Sequence, residues 1–126
     1  MSDQEAIERV LQLYIDGAAD GDAAKLREAF HPDARMFGSL GDHRYDIPIE
    51  EFFSLSTEMP LRTDESFAAR IVSVDEAGDA AAAVVEEDGC WGTVSFRDYF
   101  NLARVDGNWK ITNKTFAHTG GSLPGA

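Results

Sequence analysis

The sequence predicts an α+β domain, three N-terminal helices packed on a strongly curved antiparallel sheet that together form a cone-shaped barrel. Helical spacing of apolar residues is confined to the N-terminal half of the chain. The C-terminal half alternates apolar and polar residues with a period of two, as strands do. Two hairpin signals, "EAGD" and "DGN", punctuate that second half. With 126 residues and 44% hydrophobic content, the chain suits one domain with a real core.

The elements follow in order. Ser2 and Glu5 stand at capping-box spacing, and Ile7, Val10, Leu11, Tyr14 and Ala18 fall on one helical stripe that Gly21 ends. Asp22 caps a second, short helix whose core face is Leu26, Ala29 and Phe30, closed by Pro32. "ARMFGSL" reads as a short strand and "GDHRYD" as a loop. Asp46 and Pro48 open a third helix anchored by Ile49, Phe52 and Phe53. After "MPLRT", the segments "ESFAARIVSVD", "DAAAAVVEED", "WGTVSFRDYFNLARV" and "NWKITNKTFAH" read as a four-stranded antiparallel meander. One domain over residues 1–118 and a loose tail over 119–126 are expected.

Charge and cysteine usage narrow the function classes. The net charge of -12, from 23 acidic and 11 basic residues, argues against nucleic acid or an anionic membrane as partner, because either needs a basic footprint. Cys90 is the single cysteine, so no intrachain disulfide can form. The polar start "MSDQEAIERV" has no signal-peptide core, and no run reaches membrane-span length, so a cytoplasmic protein is expected. His31, His43 and His118 show no ligand spacing, and no metal or cofactor is expected. Cys90 lies beside "EEDG", a setting that disfavours the thiolate.

One strand carries an anomaly. Val94, Phe96, Asp98, Phe100 and Leu102 share a face, apolar but for the aspartate. A carboxyl there must be held neutral or fixed as an anion by an Arg or by backbone N–H groups. The opposite face offers Trp91, Arg97 and Tyr99, residue types favoured at interfaces, and predicts a homodimer packed through the outer sheet face. On the last strand, Asn113 shares the phase of Trp109 and Ile111 and is expected to point into the cone.

The helical hairpin turning at "DGD", then "FHPDA", then "DYFNLARVDGNWKITNKTF" resembles the nuclear transport factor 2-like superfamily, and within it the lumazine-binding branch. The resemblance implies a cone with a small-molecule cavity, often dimeric, and leaves activity open, since members range from isomerases, dehydratases and cyclases to non-catalytic modules. "VLQLYIDGAADGD" and "RDYFNL" also resemble bacterial ketosteroid isomerases. That likeness puts Tyr14 and Asp98 at the positions of the oxyanion-hole tyrosine and protonated aspartic acid. It puts Gly38 where the general base stands, so steroid isomerisation is not expected.

Two functions follow as expectations. The first is a pocket for an apolar, carbonyl-bearing small molecule, with cofactor-free acid/base chemistry open to it. Tyr14 and Asp98 would act as donors, and His43, in a loop, as a base. Phe30, Met36, Phe52, Phe53, Phe96 and Asn113 would form the ligand walls. The second is a non-catalytic binding or interaction module with a mostly filled cavity. An accessible void with Tyr14 and Asp98 exposed to it separates the two.

Overall fold

In the computed structural model, which describes residues 1–123, the chain runs α1 (Asp3–Asp20), α2 (Ala23–Ala29), β1 (Phe30–Leu40), β2 (His43–Pro48), α3 (Ile49–Glu58), β3 (Ala68–Ala77), β4 (Ala80–Cys90), β5 (Val94–Val105) and β6 (Asn108–Gly120). The six strands form one sheet in the order β2-β1-β6-β5-β4-β3. The three helices pack on one face of it, so the architecture is the α+β cone. The sheet stays open, with β2 and β3 as unpaired edges.

Local chemistry sets the element boundaries. The capping box forms as spaced: Ser2 Oγ accepts from Glu5 N at 3.1 Å, and Glu5 Oε1 accepts from Ser2 N at 3.2 Å. Gly21, in the left-handed region at φ 69°, ends α1. Asp22 caps α2 by accepting from Ala24 N and Lys25 N. Asp106 and Gly107, at φ 51° and 81°, make the two-residue turn that sets the β5–β6 register.

Four expectations are corrected. "GDHRYD" is a tight turn followed by β2, which pairs with β1. The sheet is mixed rather than wholly antiparallel, because β1 runs parallel to β6. A parallel partner needs a long crossover, and the chain between β1 and β6 provides it. The segment at Trp91 is a turn rather than strand: Trp91 has φ 52° and β5 starts at Val94. The tail is not loose over its described part. β6 extends to Gly120, and Thr93 Oγ1 donates to Ser122 O at 2.7 Å; residues 124–126 of the expected tail lie outside the described residues.

The core fills the space between α1 and the inner sheet face. Ile7, Leu11 and Tyr14 of α1 meet Val85, Phe100 and Ile111, all buried. Arg97 and Tyr99 do lie on the outer face, where the Arg97 guanidinium covers the Tyr99 ring at 5.6 Å. Trp91 does not join them, because its turn carries it round to the concave side.

A one-residue irregularity reshapes the last strand. Leu102 pairs with Ile111 and Asn101 with Asn113, which leaves Thr112 as a β-bulge. Past a bulge the alternation of faces changes phase. Asn113 therefore points outward, against expectation, and Lys114 and Phe116 are buried on the inner face.

Candidate functional site

Three adjacent strands bring ionisable groups onto one diagonal of the inner face. Asp98 pairs with Val85 on β4 and with Phe116 on β6, while Glu87 pairs with Phe96 and Lys114 with Phe100. Asp98 is thus the diagonal same-face neighbour of both Glu87 and Lys114. Helix α1 lays Tyr14 across them, its ring edge-on to Phe100 with centroids 4.8 Å apart.

The Tyr14 hydroxyl lies 2.8 Å from Asp98 Oδ2 and 3.1 and 3.2 Å from the two oxygens of Glu87. Both carboxyls and the tyrosine are fully buried. No Arg and no backbone N–H serves Asp98 among the described residues; its Oδ1 atom has no partner there at all. Burial, reinforced by the charge of Asp98 and a hydrogen bond with it, holds the Glu87 carboxyl well above its ordinary 4.5. Burial and the Asp98 charge thus favour the neutral Glu87 carboxyl, and the Lys114 charge opposes them. Burial likewise pushes the Tyr14 hydroxyl up, followed by the charges of Asp98 and Glu87. It pushes the nearby Cys90 thiol up too, leaving that sulfur inert.

Lys114 is only 6% exposed. Its Nζ sits 4.1 Å from the centroid of the Phe52 ring, 5.0 Å from Tyr14 and 5.4 Å from Phe116. It makes no hydrogen bond and no close ion pair among the described residues. Three aromatic faces stabilise its charge, and its donors remain free.

Those free donors look into a cavity of about 340 Å³. Met36, Phe52, Phe96 and Phe116 form its walls, and Glu87, Lys114 and Ser56 are its polar lining. Its mouth passes Met59, which is 51% exposed, and Trp91. Trp91 is clamped there: its backbone N–H donates to Leu61 O at 2.8 Å and its Nε1–H to Met59 O at 3.2 Å. The positive φ of a bulky residue is costly, and these two bonds hold it. Leu123 also reaches the cavity wall.

Tyr14 and Asp98 lie behind the cavity lining and are bonded to each other, so neither is exposed to the void as the pocket expectation has it. Met36, Phe52 and Phe96 line the cavity. Phe30 and Phe53 are packed in the core instead, at 1% and 2% exposure. His43 is exposed on β2, stacked edge-on against Tyr45 outside the cavity. Gly38 has no room for a base: a Cβ there would stand 2.5 Å from the Phe116 ring. No three His, Cys, Asp or Glu side chains among the described residues converge as a metal-ligand set.

Sequence reasoning misses Glu87, and of Asn113 and Lys114, which lie on opposite faces of the last strand, it favours Asn113 over Lys114. Glu87 continues the phase of Ala81, Ala83 and Val85 on β4, a legible signal masked by the acidic run "EED" around it. Lys114 could not be placed without the bulge.

A cone of this kind with a lined interior defines the nuclear transport factor 2-like class. The chain is 32% identical to an NTF2-like protein from Methylobacillus flagellatus, with TM-score 0.83 over 93% of this chain and 92% of that one. It is 30% identical to an NTF2-like protein from Shewanella baltica, with TM-score 0.80 over 90% of each. Within that class, residues 2–117 match the family described as "Putative lumazine-binding", and the chain belongs to it. Among curated proteins it is 20% identical to the aldolase FrzH of Cladobotryum sp over 91% of this chain and 90% of that protein.

Proposed function

We propose that the chain binds a small, mostly apolar molecule bearing a carbonyl, and acts on that carbonyl by cofactor-free acid/base chemistry. The observation that carries this reading is a cavity with hydrocarbon and aromatic walls that ends at Lys114, which has no hydrogen-bond partner among the described residues, and at Glu87, whose carboxyl is held above its ordinary range. A hydrocarbon body is favoured by the walls. A carbonyl oxygen is favoured by the ammonium, which otherwise stays desolvated without an acceptor. Glu87 holds its proton to higher pH than an exposed carboxyl does, which suits it to move protons at the carbonyl or the adjacent carbon. The aldolase relative supports a carbonyl compound as the reacting class.

Trp91 supplies the readout. Titration with a panel of cyclic ketones and the hydrocarbons of the same shape is expected to change Trp91 emission saturably for ketones, and more weakly for hydrocarbons. Trp91→Phe, which leaves only Trp109, should abolish the signal while the unfolding temperature still rises with ketone. A panel in which no member moves either emission or unfolding temperature would refute the pocket reading.

A further inference from the structure

We infer that Lys114 is a nucleophile as well as a donor: it captures an aldehyde or ketone in the cavity as a protonated imine, with Glu87 carrying the protons. The inference rests on the pocket reading above and names the chemistry of that same site.

An amine that attacks a carbonyl needs freedom from competing hydrogen bonds, access to the carbonyl carbon, a nearby base and a site that excludes water. Lys114 has all four. Its Nζ is bonded to nothing among the described residues, and it lines the cavity. Glu87 lines the same cavity, and the Lys114 charge acts on its carboxyl. At 6% exposure Lys114 is out of bulk water, and imines persist where water is kept away.

The step balances without any further reactant. In the carboxylate form of Glu87, whose raised proton affinity makes it a better base than an exposed carboxylate, the Lys114 ammonium gives it a proton. The freed amine lone pair forms the C–N bond as the carbonyl π electrons move to oxygen, which takes up the second ammonium proton. Glu87 then returns its proton to the hydroxyl oxygen of that adduct, and the C–O bond breaks to release water. The product is an iminium ion facing a Glu87 carboxylate. Charge is conserved: one cation against one anion before, and the same after. The rings of Phe52, Tyr14 and Phe116 that surround the ammonium therefore suit the iminium ion equally. An iminium ion also acidifies the neighbouring C–H bonds, which is the class of chemistry that carbon–carbon bond formation or cleavage next to a carbonyl requires.

The test uses trans-cinnamaldehyde, an apolar aldehyde, with cyanoborohydride, which reduces an imine to a stable secondary amine. The other lysines, exposed Lys25 and half-buried Lys110, are internal controls, as is the N-terminal amine. Peptide mapping of the wild-type protein is expected to place most of the adduct on Lys114. Glu87→Gln should slow trapping by roughly 10²-fold while the Trp91 response to the aldehyde persists. Lys114→Met, checked for folding by its unfolding transition, should leave only the slow labelling of the controls. Aldehyde binding seen through Trp91 with label spread over Lys25, Lys110 and the N-terminus overturns the imine and leaves the pocket reading intact. Absence of both binding and labelling overturns the two together.

Discussion

The inner face of β5 has two halves that behave differently. Beyond Asp98, Phe100 and Leu102 are each 2% exposed and pack solidly against Tyr14 and α1. Before Asp98, Phe96 lies at the wall of a hollow with Met36, Phe52 and Phe116, each 4–8% exposed. Residue types are alike on both sides of the border; what differs is what lies opposite. Helix α1 covers the first half along its length. Over the second half, α3 and the Trp91 turn stand back from the sheet. Composition alone does not make a pocket, and the four polar groups mark where helix coverage stops.

The sharpest way to break this comparison is one truncation on each side. Phe100→Ala is expected to cost about 3–5 kcal/mol, the range for a large buried aromatic in a tight core. Phe96→Ala should cost less than half as much, because its ring already faces a void. Urea unfolding of both variants decides the matter; equal losses would mean the hollow half is packed as tightly as the other.

The border itself titrates. The Glu87 carboxyl is held above 4.5, so as pH rises from that value the folded state keeps a proton the unfolded chain has released. Its neutral form favours the fold at low pH, and that contribution is lost as pH rises toward the folded value. Glu87→Gln removes this titration and should flatten the decline of stability on the alkaline side of 4.5. Asp98→Asn keeps the Glu87 burial but removes a charge, so the Glu87 carboxyl should move down toward its ordinary value while staying above it. Carbon-13 NMR of the Glu87 carboxyl across pH reads that shift. An unchanged titration would show that the Asp98 charge does not raise the Glu87 carboxyl.

The smallest expected effect lies at the mouth. Leu55 is 37% exposed on the cavity lining, and Leu55→Ala should change stability by no more than about 0.5 kcal/mol. It should still alter ketone affinity in the Trp91 titration, because it widens the entrance.

Much of the scaffold was legible in the sequence. The capping box, the Gly21 stop and the Asp106–Gly107 turn are local devices whose residues dictate one geometry. The α+β class and the inward Asp98 follow from periodicity. The site was legible in part. Tyr14 and Asp98 converge, yet the Tyr14 hydroxyl donates to Glu87 and Asp98 rather than into the cavity, a matter of partners that lie 73 and 84 residues from Tyr14 in the chain. The phase of Asn113 was misread because a β-bulge leaves no reliable mark in a single strand. Trp91 was misread because a period-two reading carries on through a turn that Gly92 allows but does not announce. β2 was taken for a loop because five of its six residues are polar or prolyl, as suits an edge strand with little burial.

The bulge at Thr112 has a consequence for reading relatives of this chain. A deletion inside a strand normally turns every later side chain to the wrong face, so alignment gaps there are rare. Here a chain lacking Thr112 would keep Ile111, Lys114 and Phe116 on the same side and lose only the bend. Length variation at this point is therefore compatible with an unchanged cavity lining. A homologue one residue shorter in its last strand should keep the lysine and trade away curvature, which would make that single gap a marker of cavity shape.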